Sequence, residues 1–229
     1  MPLITHSHGV TPERDFERVL SLRVHPKIKT IEDYSEALVE GVKDFEKVFR
    51  NEVGELSADM ISEGHFLVFG GVHPWAGKWR TEYVEVGGFD ALNPGQIEEA
   101  LKRLHDRQVE AIVKEPTQEE RCAMMGEFHC RFENIHPFMD GNGRLGRLLL
   151  DHQMNVAFGP KLWPSLDFKE YANALKAGNQ QDYLIMGGLV DTLVKTGISY
   201  EQMHERMAAS LEQLEQQKQK QVLKPTLGL

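Results

Sequence analysis

Apolar positions recur in steps of three and four along most of this 229-residue chain, the period of helices that bury one face. From Thr30 the stripe runs Ile31, Tyr34, Leu38, Val42, Phe45 and Phe49 with charges between them, and Thr30 is a good N-cap. A short helix is expected near 12–22 and another over about 55–69. Pro94 opens a helix with Ile97, Ala100, Leu101, Leu104 and Ile112 on one side, proline suiting a first helical turn. Thr117 and Glu120 have capping-box spacing; the helix they start carries Met125, Phe128, Phe132 and Ile135 down to His136. A further helix resumes after Gly143 through Leu148, Leu149 and Leu150 and stops at Gly159-Pro160. Helices near 168–177 and 180–196 follow, and a last one over about 199–220 carries Met203, Met207, Leu211 and Leu214. Alternation of period two appears over 81–92, around Gly87-Gly88, and predicts a hairpin. The reading is an all-α bundle with one small β-hairpin, organised as an arm (1–29), a helical domain (30–197) and a C-terminal amphipathic helix and tail (198–229).

Composition narrows the partners. No apolar run approaches the roughly 20 residues of a membrane span, so no membrane partner is expected. The net charge of −9 argues against nucleic acid, which demands basic surface, yet leaves room for a local cationic pocket holding one nucleotide. The N-terminus has no basic stretch followed by an apolar one, so a cytoplasmic chain is the expectation, with export as an effector left open. His6 and His8 read as part of a solvated arm. Cys122 and Cys130 read as two buried thiols on one helix, too far apart to bridge.

The chemistry concentrates in His136-Pro-Phe-Met-Asp-Gly-Asn-Gly-Arg-Leu-Gly-Arg147. A helix N-terminus leaves backbone N–H groups unpaired and carries partial positive charge, and glycines let that backbone approach an anion. Gly141-Asn142-Gly143 therefore reads as a phosphate cradle. Arg144 and Arg147, three apart, are expected to share a helix face, where two cations call for a di- or triphosphate. Asp140 is a candidate Mg²⁺ ligand, since magnesium is commonly held by one carboxylate and the substrate's phosphates; the same side chain could instead cap the helix. His136 is a candidate proton acceptor, and Phe138 is expected to point into the core and pin the loop.

Those twelve residues resemble the Fic family signature, His-x-Phe-x-(Asp/Glu)-Gly-Asn-Gly-Arg-x-x-Arg, at every fixed position. The resemblance extends over about 60–195: His73-Pro-Trp-Ala-Gly-Lys-Trp-Arg80 is similar to the loop before the family's hairpin flap, and Val84-Glu-Val-Gly-Gly-Phe-Asp-Ala-Leu-Asn-Pro94 to the flap itself. Phe168-Lys-Glu-Tyr-Ala-Asn-Ala-Leu175 and the stretch from Asp182 resemble the helices that follow. The resemblance implies a Fic-type helical bundle that transfers AMP from ATP to a Ser, Thr or Tyr hydroxyl of a target protein and releases pyrophosphate. It implies that His136 deprotonates the hydroxyl, Asp140 holds Mg²⁺, and Gly141, Asn142 and Gly143 bind the phosphates. Arg144 and Arg147 would grip the β- and γ-phosphates, while Val84, Glu85, Val86, Gly87 and Gly88 align the target by strand addition. Glycine at 143, where the phosphorylating Doc-type branch carries lysine, favours nucleotidyl transfer. A nucleotide-binding regulator with suppressed transfer, a relative that moves another phosphate-containing group, and one that removes AMP are the alternatives.

The family's inhibitory motif, (Ser/Thr)-x-x-x-Glu-(Gly/Asn), has no clean counterpart. Asp59-Met-Ile-Ser-Glu63-Gly64 has aspartate at its first position, Thr81 to Glu85 lacks the final residue, and Ser35 to Glu40-Gly41 is one residue too long. A separate antitoxin-type inhibitor, a variant helix in the arm or C-terminal segment, and self-association into a homo-oligomer remain open.

Overall fold

The computed structural model describes residues 12–50, 52, 54–164, 167–199 and 202. His6, His8 and nearly all of the helix expected over 199–220 lie outside the described residues. The described elements are α1 (Pro12–Leu20), α2 (Ile31–Phe49), α3 (Ala58–Phe69), β1 (Glu85–Val86), β2 (Phe89–Asp90), α4 (Ile97–Ile112), α5 (Gln118–Ile135), α6 (Asn142–Phe158), β3 (Lys161–Leu162), α7 (Phe168–Asn179), α8 (Leu184–Thr196) and β4 (Ile198–Ser199).

The expected helix starts are present in atomic detail. Thr30 accepts from the Asp33 N–H while the Asp33 carboxylate accepts from the Thr30 N–H, and Thr117 and Glu120 do the same for α5. Substituting such a cap by alanine typically costs about 1 kcal/mol. Pro94 begins not α4 but a single 3-10 turn, Pro94–Gln96, that leads into it. The α2 stripe is buried from Tyr34 to Phe49 and packs on α3.

α5 is the central helix, touching α4, α6, α7 and α8. Its buried residues run all round it, including Cys122, Gly126, His129 and Cys130 beside the expected apolar face, as befits a helix with neighbours on every side. Its crossing with α8 is close: a Cβ on Gly126 would lie 2.5 Å from the Gly187 nitrogen, so only glycine lets the two backbones meet there. Both cysteines are free and buried, and burial pushes Cys122 up to about 11 and Cys130 up to about 12.

The expected hairpin is β1–β2, paired Glu85 with Asp90 and Val86 with Phe89 around Gly87 and Gly88; both turn glycines have positive φ (59° and 84°), the backbone a two-residue hairpin turn requires. One strand pair lies beyond that expectation. A second antiparallel pair joins Lys161 to Ser199 and Leu162 to Ile198. Two-residue strands joined across the chain carry too little alternation to be read from sequence. Among the described residues no helix is long and apolar enough to cross a membrane.

Candidate active site

α5 ends at His136, whose backbone is left-handed (φ 48°, ψ 62°). That conformation is uncommon for a side chain with a Cβ and turns the chain sharply into the loop. Arg80 holds the turn. Its Nε donates to the His136 carbonyl at 2.7 Å and its Nη2 to those of Ile135, at 3.2 Å, and Leu92; Nη1 donates to the Glu82 carbonyl at 2.6 Å. One buried guanidinium thus caps the open carbonyls of α5 and ties the base of the hairpin to them. Leu92 adds a backbone hydrogen bond to the Asn134 carbonyl, 3.3 Å. Arg80 entered the sequence reading only as the end of a loop, and nothing in periodicity marks it.

His136 Nδ1 donates to the Glu133 carbonyl at 3.3 Å, which leaves Nε2 as the basic nitrogen. Burial lowers its pKa to about 4, with Arg80 adding to the effect and the Glu133 carbonyl and Asp140 opposing it. The imidazole is therefore neutral at physiological pH.

Phe138 is fully buried; its ring stacks on His65 at 3.7 Å between centroids and meets Trp79 at 5.1 Å. The Asn142 side chain closes the loop on itself, accepting from the Phe138 N–H at 2.9 Å and donating to the Phe138 carbonyl at 2.8 Å. Its amide is thus committed to the loop, and what it can offer an anion is its backbone N–H. Gly141 is the N-cap of α6 at φ 81°, and a Cβ there would stand 2.6 Å from the Phe69 ring. A glycine cap contributes no side-chain oxygen, so the first-turn N–H groups of α6 keep their capacity for an external anion.

The two arginines do not share surroundings, contrary to the expectation from their spacing. Arg144 packs between Phe69 and Tyr34, donates to the Tyr34 hydroxyl and, at 2.9 Å, to Asp140 Oδ2, and lies 3.5 Å from Asp15 Oδ2. Arg18 of α1 closes this cluster, 2.8 Å from Asp140 Oδ1 and 2.9 Å from Asp15 Oδ1. Burial alone would raise the Asp140 carboxyl, but His73, Arg144 and Arg18 hold it far below the usual carboxylate range. Arg144 and Arg18 together lower Asp15 against the same burial penalty. Arg147 instead reaches toward α5 and α7, where it hydrogen-bonds the Tyr171 hydroxyl and lies beside Glu133. Tyr171 in turn donates to His129 Nε2 at 2.7 Å, and His129 Nδ1 donates to the Gly146 carbonyl at 3.2 Å. Sequence spacing placed two cations awaiting one anion; the fold gives Arg144 carboxylates of its own. As members of the site, Asp15, Arg18, Tyr34, His65, Glu133, His129 and Tyr171 were not foreseen from sequence: Tyr34 read only as part of the α2 stripe, and all but Glu133 and His129 reach the motif from other elements.

The hairpin is exposed at Glu85, Val86, Gly87 and Gly88, with Val84 half-buried. Beneath it a cleft of about 1150 Å³ runs between β1–β2, α4, the end of α5 and α7, and touches Glu133 and Asn134. Glu63, in the nearest approximation to an inhibitory motif, is exposed on α3 and takes no part in the site.

Residues 55–154 match the family model described as the Fic/DOC family. The chain is 36% identical over 135 residues to the protein adenylyltransferase fic-1 of Caenorhabditis elegans, an alignment covering 57% of this chain and 26% of that protein. The chain therefore spans about a quarter of the length of the curated relatives it matches. Its structure is similar to that of C. elegans Fic-1 residues 134–508 (TM-score 0.60, 25% identity, 90% of this chain and 60% of that one). It shares its fold with BepC of Bartonella tribocorum, a VirB-translocated effector solved with bound AMPPNP (TM-score 0.61, 20% identity, 75% and 91% covered). Over residues 55–154, just under half of its length, the chain is thus similar to the Fic/DOC family.

Proposed function

We propose that this chain is an adenylyltransferase that moves AMP from ATP to a Ser, Thr or Tyr hydroxyl of a target protein. The observation that carries the reading is His136. A neutral imidazole is held by its Nδ1, with Nε2 available, at the mouth of a loop that leads into an uncapped helix N-terminus. The relatives named protein adenylyltransferase and the nucleotide analogue bound to BepC support it.

In this reading Nε2 of His136 takes the proton of the incoming hydroxyl. The hydroxyl oxygen forms a bond to the α-phosphorus in line, and the bond from that phosphorus to the bridging oxygen breaks, releasing pyrophosphate. The α6 N–H groups and Arg147 stabilise the charge that gathers on the departing phosphates, so catalysis rests on positioning and preorganised charge. The cleft below the hairpin receives the nucleoside, and Val84 to Gly88 present an edge for an extended target segment.

The magnesium expected at Asp140 does not fit the site as arranged. Both carboxylate oxygens are in ion pairs with guanidinium groups, and His73 Nε2 stands 3.6 Å from Oδ2. No group of three or more His, Cys, Asp or Glu side chains suited to a metal occurs among the described residues. No step above is routed through a metal.

The test is incubation with ATP labelled at the α- or the γ-phosphate. Covalent label from the α-position alone, lost in His136→Ala while nucleotide binding persists, is the expected result. Label from the γ-position alone would make the chain a kinase. One observation favours a second reading, nucleotide binding without transfer: the Arg144–Asp140 pair is closed over by α1. ATP-dependent stabilisation without any label would establish that reading instead.

A further inference from the structure

Glu133 lies on the last turn of α5, outside the twelve-residue motif. Its carboxylate occupies a recess in α6 opened by two glycines one turn apart. A Cβ on Gly146 would stand 2.4 Å from Oε1; one on Gly143 would stand 3.9 Å from either oxygen and 3.3 Å from an Arg147 guanidinium nitrogen. Oε1 is buried and has no hydrogen-bond partner, a condition that calls for an explanation in a folded protein. The titratable groups around it are Arg147 from α6, Tyr171 from α7, and His129, Cys130 and His136 from α5. Burial keeps both histidines neutral and raises Cys130 and Tyr171 above their ordinary range. Arg147 is thus the one member charged at neutral pH, and the one that favours an ionised Glu133.

We propose that Glu133 is a further positioning residue of the nucleotide site, one that couples binding of the phosphate tail to uptake of a proton. The inference rests on the functional reading above. When the anionic oxygens of the tail engage Arg147, the guanidinium charge that holds Glu133 ionised is neutralised. The carboxylate, left in its recess against a helix terminus that now carries an anion, takes a proton from solvent and becomes the neutral acid. No covalent bond changes. Burial already lifts this carboxyl to about 7 against the opposing pull of Arg147, so the exchange falls in the physiological range. With one proton taken up, affinity for the tail falls by up to about tenfold per pH unit once Glu133 is ionised in the free protein. Arg144 shows no such coupling, because Asp140 and Asp15 stay ionised beside it.

The experiment is calorimetry of the full chain and of Glu133→Gln with ATP and with adenosine, between about pH 6 and 9 so that the window brackets the carboxyl, in buffers of different ionisation heat. ATP's own ionisation is common to both proteins, so their difference reports Glu133. Above neutrality the wild type should take up more protons per ATP than the variant and lose affinity up to tenfold per pH unit relative to it, while the two bind adenosine alike. Parallel ATP profiles, or an equal change in adenosine binding, would overturn the coupling while leaving nucleotide binding intact. Absence of ATP binding by the wild type at every pH would sink the functional reading and the coupling with it. Should the variant not fold, ¹³C NMR of the wild-type glutamate carboxyl decides: its titration midpoint should rise when ATP is added, and an unmoved midpoint refutes the proposal.

Discussion

The two arginines of the motif stand one helical turn apart and live in opposite electrostatic worlds. Arg144 is held by Asp140 and Asp15, with Arg18 and the Tyr34 hydroxyl completing a network that joins α1, α2, the motif loop and α6. Arg147 lies beside Glu133, a carboxylate that burial pushes toward the neutral acid, and beside a tyrosine–histidine pair that carries no charge. Each side includes a buried neutral histidine: His65 donates to the Asp140 carbonyl and accepts from the Gly77 N–H, while His129 donates to the Gly146 carbonyl and accepts from Tyr171. Under the proposed function, one motif would assign structure to one cation and ligand binding to the other. A guanidinium already matched by ionised carboxylates holds the loop in place; one facing a reluctant acid keeps its charge for an incoming anion.

The largest expected effect breaks the site between the two clusters. His136→Ala should lower transfer by about 10²–10⁴-fold, the usual worth of a positioned general base, with ATP affinity and melting temperature nearly unchanged. Turnover within a few-fold of wild type would mean that another group deprotonates the acceptor. Next comes Asp140→Ala, which leaves Arg144 buried without its i,i+4 partner. Removing one side of such a pair typically costs about 3–5 kcal/mol, read as a shifted denaturation midpoint. Arg147→Ala should instead weaken ATP binding with a smaller loss of stability. If both variants lost stability alike, the two arginines would not differ in role.

Acid separates the clusters by sign. His65 and His129 are lowered to about 3, chiefly by burial, so the unfolded chain binds protons that the folded chain refuses. Stability should therefore fall as pH drops from about 6.5 toward 3, by up to about 1.4 kcal/mol per pH unit for each histidine. Asp15 and Asp140, held below their ordinary values, contribute stability that is present above the unfolded carboxylate pKa and lost as pH falls further, which deepens the loss on the Arg144 side. Glu133 acts in the other direction: its folded value is raised, so stability declines as pH climbs from about 4.5 through 7. Melting curves of Glu133→Gln should match the wild type near pH 5 and exceed it near pH 8, both values chosen to flank that titration. Coincident curves at the higher pH would deny Glu133 its ionisation in the folded chain.

Much of this architecture was readable from the chain. The caps at Thr30 and Thr117, the stop at Gly159 and the apolar stripe of α2 are local signals, and each element formed where those signals lay. The contiguous motif announced the loop, and Phe138 and Gly141 occupy the places that packing and a positive φ require. Relations between distant segments stayed hidden. Nothing near Asp15 or Arg18 in sequence shows that they meet Arg144 and Asp140, because those contacts span more than a hundred residues and depend on how α1 lies over α2. Arg80 carries the end of α5 through carbonyl groups, which leave no trace in residue identity. The different surroundings of Arg144 and Arg147 stayed hidden for a similar reason. Helical spacing puts two Cβ atoms near one face, but long side chains follow the carboxylates and rings supplied by other helices.

The smallest expected effect bears most directly on what α1 does for the Arg144 cluster. The Arg18 side chain is 46% exposed and pairs with two carboxylates that are almost wholly buried. Half in solvent, such an interaction contributes on the order of 1 kcal/mol or less, so Arg18→Ala should lower the midpoint of unfolding only slightly. The same change uncovers Asp140 Oδ1, while Oδ2 remains with Arg144. One free carboxylate oxygen suffices for a divalent ion that draws its remaining ligands from water and substrate phosphates. Magnesium should therefore raise the melting temperature of Arg18→Ala in the presence of ATP more than it does for the wild type. Equal shifts in the two proteins would show that Arg18 does not stand in the way of a cation, and that Arg144 alone is enough to keep Asp140 a structural anion.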